Sequence, residues 1–294
     1  LDLIRSSNID ILTSLNDGIA TQPSFVAIAS AATLHHTDLE QLSRSCSTFM
    51  LEKPIAVNSK DGHEIRRLAV QRSLRITVGH HLRFSDTPLR LHEEICRQGK
   101  NSLTSVSLAY GQHLRHWRPG VSADNSVTAR KDLGGGVLRE LSHEIDAISY
   151  LAGHPAVVQE SQISYDGAPT DGRVETSADF TLSGSGIQSR IHLDMTTDVP
   201  YRHWDAVFPT FTIRADLLAG SVIKILNDGS TEVLYNAEPG ERDRAARSLL
   251  TFAITGGHDS AIGSCDVAQG VHILNTIEAV EESAMSGKPV DITE

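Results

Sequence analysis

A chain of 294 residues is long enough for one large or two ordinary domains with a sizeable core. Its 39% apolar and 21% charged content is that of a soluble globular protein. The net charge of −11 argues against a general binder of nucleic acid or anionic membrane, either of which needs a basic surface. No stretch approaches the roughly 18 apolar residues of a membrane span. Leu1 to Asn8 lacks the basic and apolar regions of a signal peptide. The three cysteines, Cys46, Cys96 and Cys265, lie far apart with no CxxC pair. They indicate neither a disulfide framework nor a zinc ribbon, and suit a reducing, cytoplasmic setting.

Taken in order, Ile9, Ile11, Leu12 and Leu15 read as a short helix or strand that ends at the turn signal Asn16-Asp17-Gly18. Phe25 to Ser30 is a compact apolar run that predicts a buried strand. A helix follows over Thr37 to Ser45, with Leu39 and Leu42 inward, then a second buried strand, Thr48 to Leu51, closed by Glu52-Lys53-Pro54. Asn58 to Arg72 is amphipathic helix, and Leu74 to Gly79 is a third strand running into His80-His81. Such alternation is the pattern of a parallel α/β layer. Ligands in these layers bind beyond the carboxyl ends of the strands, which here carry Ser30 to His35, Glu52-Lys53-Pro54 and His80 to Arg83.

After a helix over Asp86 to Arg97 the texture changes. Thr104 to Tyr110, Ala178 to Leu182 and Ile187 to Leu193 alternate, the last two joined by Ser183-Gly-Ser-Gly186 as a hairpin. Phe211 to Arg214, Ser221 to Ile225 and Glu232 to Tyr235 continue an antiparallel sheet, and Ala268 to Met285 closes the chain as a long helix. The fold class is therefore α/β, with residues 1–85 a Rossmann-like parallel layer and residues 86–294 an α+β domain on an open, mostly antiparallel sheet. An apolar outer face on that sheet would pack against a second subunit, making the protein a homo-oligomer.

Within the second part, Gly134 to Gly136 form a hinge before Leu138, Leu141, Ile145, Ile148 and Ala152, which recur at helical spacing until Gly153. That periodicity puts Glu140 and His143 off the apolar stripe as i, i+3 neighbours, able to share a proton or a substrate hydroxyl. A wet helix face is the plainer explanation of the same pair. Lys53 is pinned by Pro54 and could bond a substrate hydroxyl or a cofactor group, or could sit in an ordinary surface loop. His35-His36 and His80-His81 do not predict a metal site, because adjacent side chains in extended backbone point opposite ways and no carboxylate sits at ligand spacing.

In combination these segments are less ordinary. A strand and loop reaching His35, a strand into Glu-Lys-Pro, a strand into Val78-Gly-x-x-x-Arg-Phe84, then Gly-Gly-Gly-x-Leu-x-Glu-x-x-His-Glu-Ile-Asp146, in that order, resemble the Gfo/Idh/MocA family of nicotinamide-dependent sugar and cyclitol oxidoreductases. The likeness runs from about Phe25 to Gly287-Lys-Pro-Val290. The resemblance implies catalytic roles for Lys53 and His143, with Glu140 orienting the histidine, although some relatives place that carboxylate where this chain has Arg139. It implies NAD or NADP at Ser30, His35, Glu52, Lys53 and Pro54, and a sugar-type substrate at His81, Arg83, Trp117 and Arg118. One departure stands out. No Gly-x-Gly-x-x-Gly turn precedes Phe25, and 24 residues are fewer than the roughly 30 of a βαβ unit. The expectation is a truncated or degenerate member with weakened cofactor binding. A non-catalytic sugar- or partner-binding relative and an NAD-dependent glycosidase are the alternatives.

Overall fold

The computed structural model describes residues 9–117, 126–165, 174–257 and 262–293. The first element, α1 (Leu15–Ala20), contains the Asn16-Asp17-Gly18 signal instead of ending at it. Ser14 explains the difference: its hydroxyl accepts from the Asp17 amide at 3.2 Å, an N-cap that turns a loop-like sequence into a first helical turn.

Three short parallel strands follow, β1 (Val26–Ile28), β2 (Thr48–Leu51) and β3 (Arg75–Val78), in the order β1-β2-β3. Their crossovers are α2 (His35–Leu42) and α3 (Ser59–Gln71), the latter capped by Asn58. The small sheet buries Phe49 and Leu51 completely, and Val78 nearly so. At its far edge, the Val78 amide donates 2.8 Å to Cys265 O, so a segment from late in the chain covers the strand.

Next come α4 (Asp86–Gln98) and β4 (Ser105–Gly111), then α5 (Val137–Glu140) and α6 (Ser142–Leu151). β5 (Val157–Ser164), β6 (Ser177–Gly184), β7 (Ile187–Asp194), β8 (Tyr201–Val207), β9 (Phe211–Asp216), β10 (Ser221–Leu226) and β11 (Thr231–Asn236) build the large sheet. The chain closes with α7 (Glu241–Thr255), α8 (Val267–Ser286) and the two-residue β12 (Val290–Asp291). Among the described residues the large sheet has nine strands, ordered β11-β10-β9-β8-β4-β7-β6-β5-β12. Every pairing is antiparallel except β4 with β7. β4 is the central strand, and one meander is laid down on each side of it.

Strand alternation sorts the sheet's two faces. Leu108, Phe180, Ile191, Trp204 and Ile213 are buried beneath the helices. The opposite face is polar, which corrects the apolar face expected from sequence. One row across five strands reads Asp179, His192, Ala109, His203, Asp216, and the next contains Arg190, Asp205 and Arg214.

Helix α8 binds the two sheets together. Its Glu278 accepts from the Ser59 amide and hydroxyl at 2.7 and 2.5 Å, while Ser161 of β5 donates 2.7 Å to Val280 O. Gly62 of α3 lets Leu274 approach closely, since a Cβ there would meet it at 3.0 Å. Most buried apolar residues form one contiguous cluster from Ile28 to Val280, with Phe84, Ala245 and Leu249 a small second one. Leu274→Ala should therefore cost roughly 2–5 kcal/mol and do so in a single unfolding transition. Urea unfolding followed by far-ultraviolet circular dichroism and tryptophan fluorescence checks this; separate transitions for the two probes would contradict it.

Candidate active site

The Gly-rich segment creates the site by letting the chain make a turn that no side chain would permit. Gly136 has φ +109°, and a Cβ there would run into the Glu175 carboxylate. Helix α5 then lasts four residues and stops at Leu141 (φ −99°, ψ 25°) before α6 resumes. The single continuous helix expected over this stretch is thus two pieces. At the break the Glu144 amide donates to Leu141 O at 3.2 Å, and Glu140 O receives the Lys53 ammonium at 2.6 Å. Lys53 Nζ also lies 3.6 Å from Glu140 Oε2, and Thr128 Oγ1 donates 2.9 Å to Glu140 Oε1. Lys53, from the carboxyl end of β2, is so fixed against the broken helix.

The expected wet face of α6 is absent. Every residue from Ser142 to Ile148 is buried, so its charges need partners inside the protein. Glu144 takes Arg202 through Nε and Nη2 at 2.7 and 3.1 Å, with Trp204 Nε1 at 3.3 Å. Asp146 takes Arg83 through Nε at 2.9 Å and Nη2 at 2.7 Å. Among the described residues His143 has no carboxylate hydrogen-bond partner: its Nδ1 lies 3.3 Å from His80 Nδ1. Its ring stands edge-on to His80 and His81, with centroids 5.1 and 4.7 Å apart.

These surroundings dictate charge. Burial pushes His80 down to about 4, with Arg83 and Lys53 adding to the effect and Asp146 opposing it. Burial and then Arg202 push His81 to about 4. His143 is held well below its ordinary value by burial, then by His81, His80, Lys53 and Arg202. All three imidazoles are neutral at neutral pH. Burial opposes the Arg83 charge, but Asp146 more than compensates and holds the guanidinium above its ordinary value.

Glu140 and His143 are drawn together in sequence, yet Glu140 spends its carboxylate on Lys53 and Thr128. Arg139 points elsewhere, donating 2.8 Å to Val57 O and 2.7 Å to Glu281, so it leaves Glu140 as the carboxylate beside Lys53. Arg83, expected at the substrate, is instead fully buried on Asp146 and Ser264 O. His81 sits against His143. Trp117 donates 3.1 Å to Gln112 O and stacks parallel to Tyr110 at 6.4 Å, while Arg202 covers the Tyr110 ring at 4.5 Å. Arg118 lies outside the described residues. At the carboxyl edge of the small sheet, Ser30 donates 2.6 Å to Asp38, and both ring nitrogens of His35 lie 3.1 Å from carbonyls, of Ile55 and Ser30. Glu52 accepts from the Lys53 amide at 3.3 Å, and the Lys53–Pro54 peptide is cis.

Sequence reading named His80 only as a strand-end residue and passed over Asp146, Glu144 and Arg202. Nothing in the sequence signals that Arg83 and Asp146 are buried together. The ligand atoms of His80, Asp146 and Cys265 come within 4.8 Å of each other. Arg83 nevertheless engages both oxygens of Asp146, so a guanidinium already holds the place a metal ion would need.

The fold is that of Gfo/Idh/MocA-type oxidoreductases. An aldose–aldose oxidoreductase from Caulobacter crescentus, complexed with glycerol, superposes with TM-score 0.80 at 20% identity, over 99% of this chain and 87% of that one. A levoglucosan dehydrogenase in complex with NADH and levoglucosan gives 0.82 at 16% identity, over 100% and 87%. An inositol dehydrogenase homolog complexed with NAD+, from Azotobacter vinelandii, gives 0.82 at 12%, over 99% and 86%. No sequence family model matches the chain, and no helix among the described residues is long and apolar enough to cross a membrane.

The buried neutral histidines make stability depend on pH in a defined direction. Between pH 6.5 and about 4 the unfolded chain binds protons that native His80 and His81 refuse. Their contribution is complete above pH 6.5 and is lost as pH falls toward 4. From pH 7 to 5, His80 alone should remove about 2 kcal/mol of unfolding free energy. Urea titrations at the two pH values measure it, and His80→Asn should reduce the difference by that share.

Proposed function

We propose that this protein is an NAD(P)-dependent oxidoreductase that moves a hydride between a nicotinamide and a hydroxyl-bearing carbon of a sugar, cyclitol or sugar derivative. The observation that carries the reading is Lys53, tied at 2.6 Å to the helix break three residues before a neutral, buried His143. An ammonium beside a neutral imidazole is the pair that alcohol oxidation requires: one group to lower the pKa of the hydroxyl, the other to take its proton.

A bound nicotinamide supplies the hydride acceptor. Ser30, His35, Glu52, Lys53 and Pro54, along the carboxyl edge of the small sheet, are the residues that would hold its nicotinamide end. The chain has no Gly-x-Gly-x-x-Gly turn for the pyrophosphate, and no residue is assigned to that part. Lys53 hydrogen-bonds the substrate oxygen and stabilises the developing alkoxide. His143 accepts the hydroxyl proton through Nε2, because Nδ1 is turned to His80. Glu140 keeps Lys53 in place, a role its contacts support better than orienting His143. Tyr110, Trp117 and His81 offer ring faces and edges for the sugar.

Calorimetric titration with NADH and NADPH, followed by turnover with a panel of aldoses and cyclitols, tests the reading. Nucleotide binding weakened by the missing pyrophosphate turn, with substrate-dependent reduction of NAD+ or NADP+ at raised nucleotide concentration, is expected, and Lys53→Ala and His143→Ala should each lower kcat about 10²- to 10⁴-fold. A folded protein that binds neither nucleotide would replace this reading with that of a sugar-binding relative.

Self-association, if it uses the outer face of the large sheet, rests on charge. Rows in which Asp179 and Asp216 flank His192 and His203, beside Arg190, Asp205 and Arg214, hold both signs and can meet their own image across a twofold axis. The oligomer seen by analytical ultracentrifugation should weaken with added salt and with His203→Asp. An oligomer indifferent to both would place the contact elsewhere.

A further inference from the structure

We propose that His80 is the proton acceptor behind His143, so that Asp146, His80 and His143 form a relay carrying the substrate's hydroxyl proton away from the reacting oxygen. The inference rests on the oxidoreductase reading and goes beyond it by naming where the proton rests.

The geometry fixes the connection. His80 Nδ1 faces two groups at once, His143 Nδ1 at 3.3 Å and Asp146 Oδ2 at 3.6 Å. Two imidazole nitrogens at that separation hold one proton between them, because two lone pairs or two N–H groups would repel. The His80 backbone is held by its amide, which donates 2.7 Å to Val78 O, and its carbonyl, which accepts from the Arg83 amide at 3.2 Å, and its ring is buried. Asp146 is fixed by the Arg83 fork. None of these groups needs to move for a proton to pass.

The charges that face the two rings favour transfer in one direction. Lys53 approaches from the end of β2, His81 and Arg83 from the turn after β3, Arg202 from β8, and Cys265 from the segment before α8. The chief influences on His143, burial, His81, His80, Lys53 and Arg202, all resist a positive charge. His80 meets most of the same burial but also Asp146, which welcomes one. A proton shared by the pair is therefore better held on His80.

The step balances. At the start His143 carries its proton on Nδ1, donated to the lone pair of His80 Nδ1, and His80 carries its own on Nε2. As the substrate O–H breaks, its proton forms N–H on His143 Nε2. The His143 Nδ1–H bond breaks, and that proton forms N–H on His80 Nδ1 beside Asp146. His143 ends neutral and His80 becomes the imidazolium. The hydride leaving carbon is accounted for by the nicotinamide, and the reverse passage returns the proton during reduction of a ketone. His80 touches neither substrate nor cofactor, so it is a positioning residue that acts through His143.

His80→Asn is the variant of choice, since its amide can occupy the Nδ1 position and bond to His143 but cannot take a proton. The expected result is a kcat about 10- to 100-fold lower with KM changed less than about twofold. Its solvent proton inventory should be linear, where the unaltered enzyme gives a curved one with two protons in flight. Unchanged kcat, or the same inventory in both proteins, would overturn the relay. A second measurement is independent of turnover. In ¹⁵N imidazole spectra of the unaltered chain, His80 and His143 should titrate as one coupled pair, and His143→Ala should shift the His80 titration. Independent titration of the two rings would overturn the relay even if the enzyme is active. Coupled titration in a protein without turnover would leave the shared proton of His80 and His143 standing but remove the oxidoreductase reading and, with it, the relay of a substrate proton.

Discussion

Arg83 and Asp146 form a buried, forked ion pair that joins the turn after β3 to helix α6. Taking a guanidinium and a carboxylate out of water is costly, and only close two-point geometry offsets it. Here the geometry is close, the third Arg83 contact falls on Ser264 O at 3.0 Å, and the Tyr150 ring lies under the guanidinium at 5.5 Å. Loss of either partner would strand a charge in the interior, at a cost of roughly 3–5 kcal/mol. The pair is thus poor evidence of great stability and good evidence of registry. It sets which turn of α6 faces His80, and hence where His143 can be.

The second constraint is the interruption at Leu141. A continuous helix would use Glu140 O for the Glu144 amide and would leave Lys53 without its 2.6 Å acceptor. Breaking the helix gives up local hydrogen-bond regularity and gains a carbonyl aimed at the edge of the small sheet. The Gly136 turn makes the break possible by delivering the chain at an angle that a side chain would block. Local irregularity next to a reacting centre has a reason here, because it is the means by which residues from two layers are held at one point.

How much of this was readable from sequence depends on what each signal measures. The parallel strands were legible because each is a short continuous apolar run, as in Phe25 to Ile28 and Phe49 to Leu51, although β1, at the sheet's edge, buries only Ile28. β8 was not, because Tyr201, His203 and Asp205 fill its polar outer face and Arg202, paired with Glu144, interrupts the apolar inner row. α7 has Glu241, Arg242, Asp243 and Arg244 in its first turn, and only Ala245, Leu249 and Ala253 are buried, a stripe too thin to read. That Lys53 and His143 belong to one region could be read from their order along the chain, and the structure brings Lys53 to the helix break beside His143. That Glu140 would serve Lys53, and that Arg83 would turn inward, could not. Both follow from the break at Leu141 and from which charges are buried together, neither of which periodicity reports.

A histidine base faces opposing demands in such a site. Burial keeps His143 neutral and ready at neutral pH, but the same burial, with Lys53 and Arg202 nearby, makes the protonated form expensive. A carboxylate placed directly against His143 would ease the second problem, yet it would also draw the Lys53 ammonium away from the substrate oxygen. Placing Asp146 one imidazole further back separates the two tasks. Lys53 stays paired with Glu140 at the cleft, and the negative charge that can hold the released proton sits behind His80, with Arg83 preventing it from reaching forward. On the proposed reading, the spacing of charges, cation at the front and anion at the rear with two neutral rings between, is what would let one site polarise an oxygen and remove its proton.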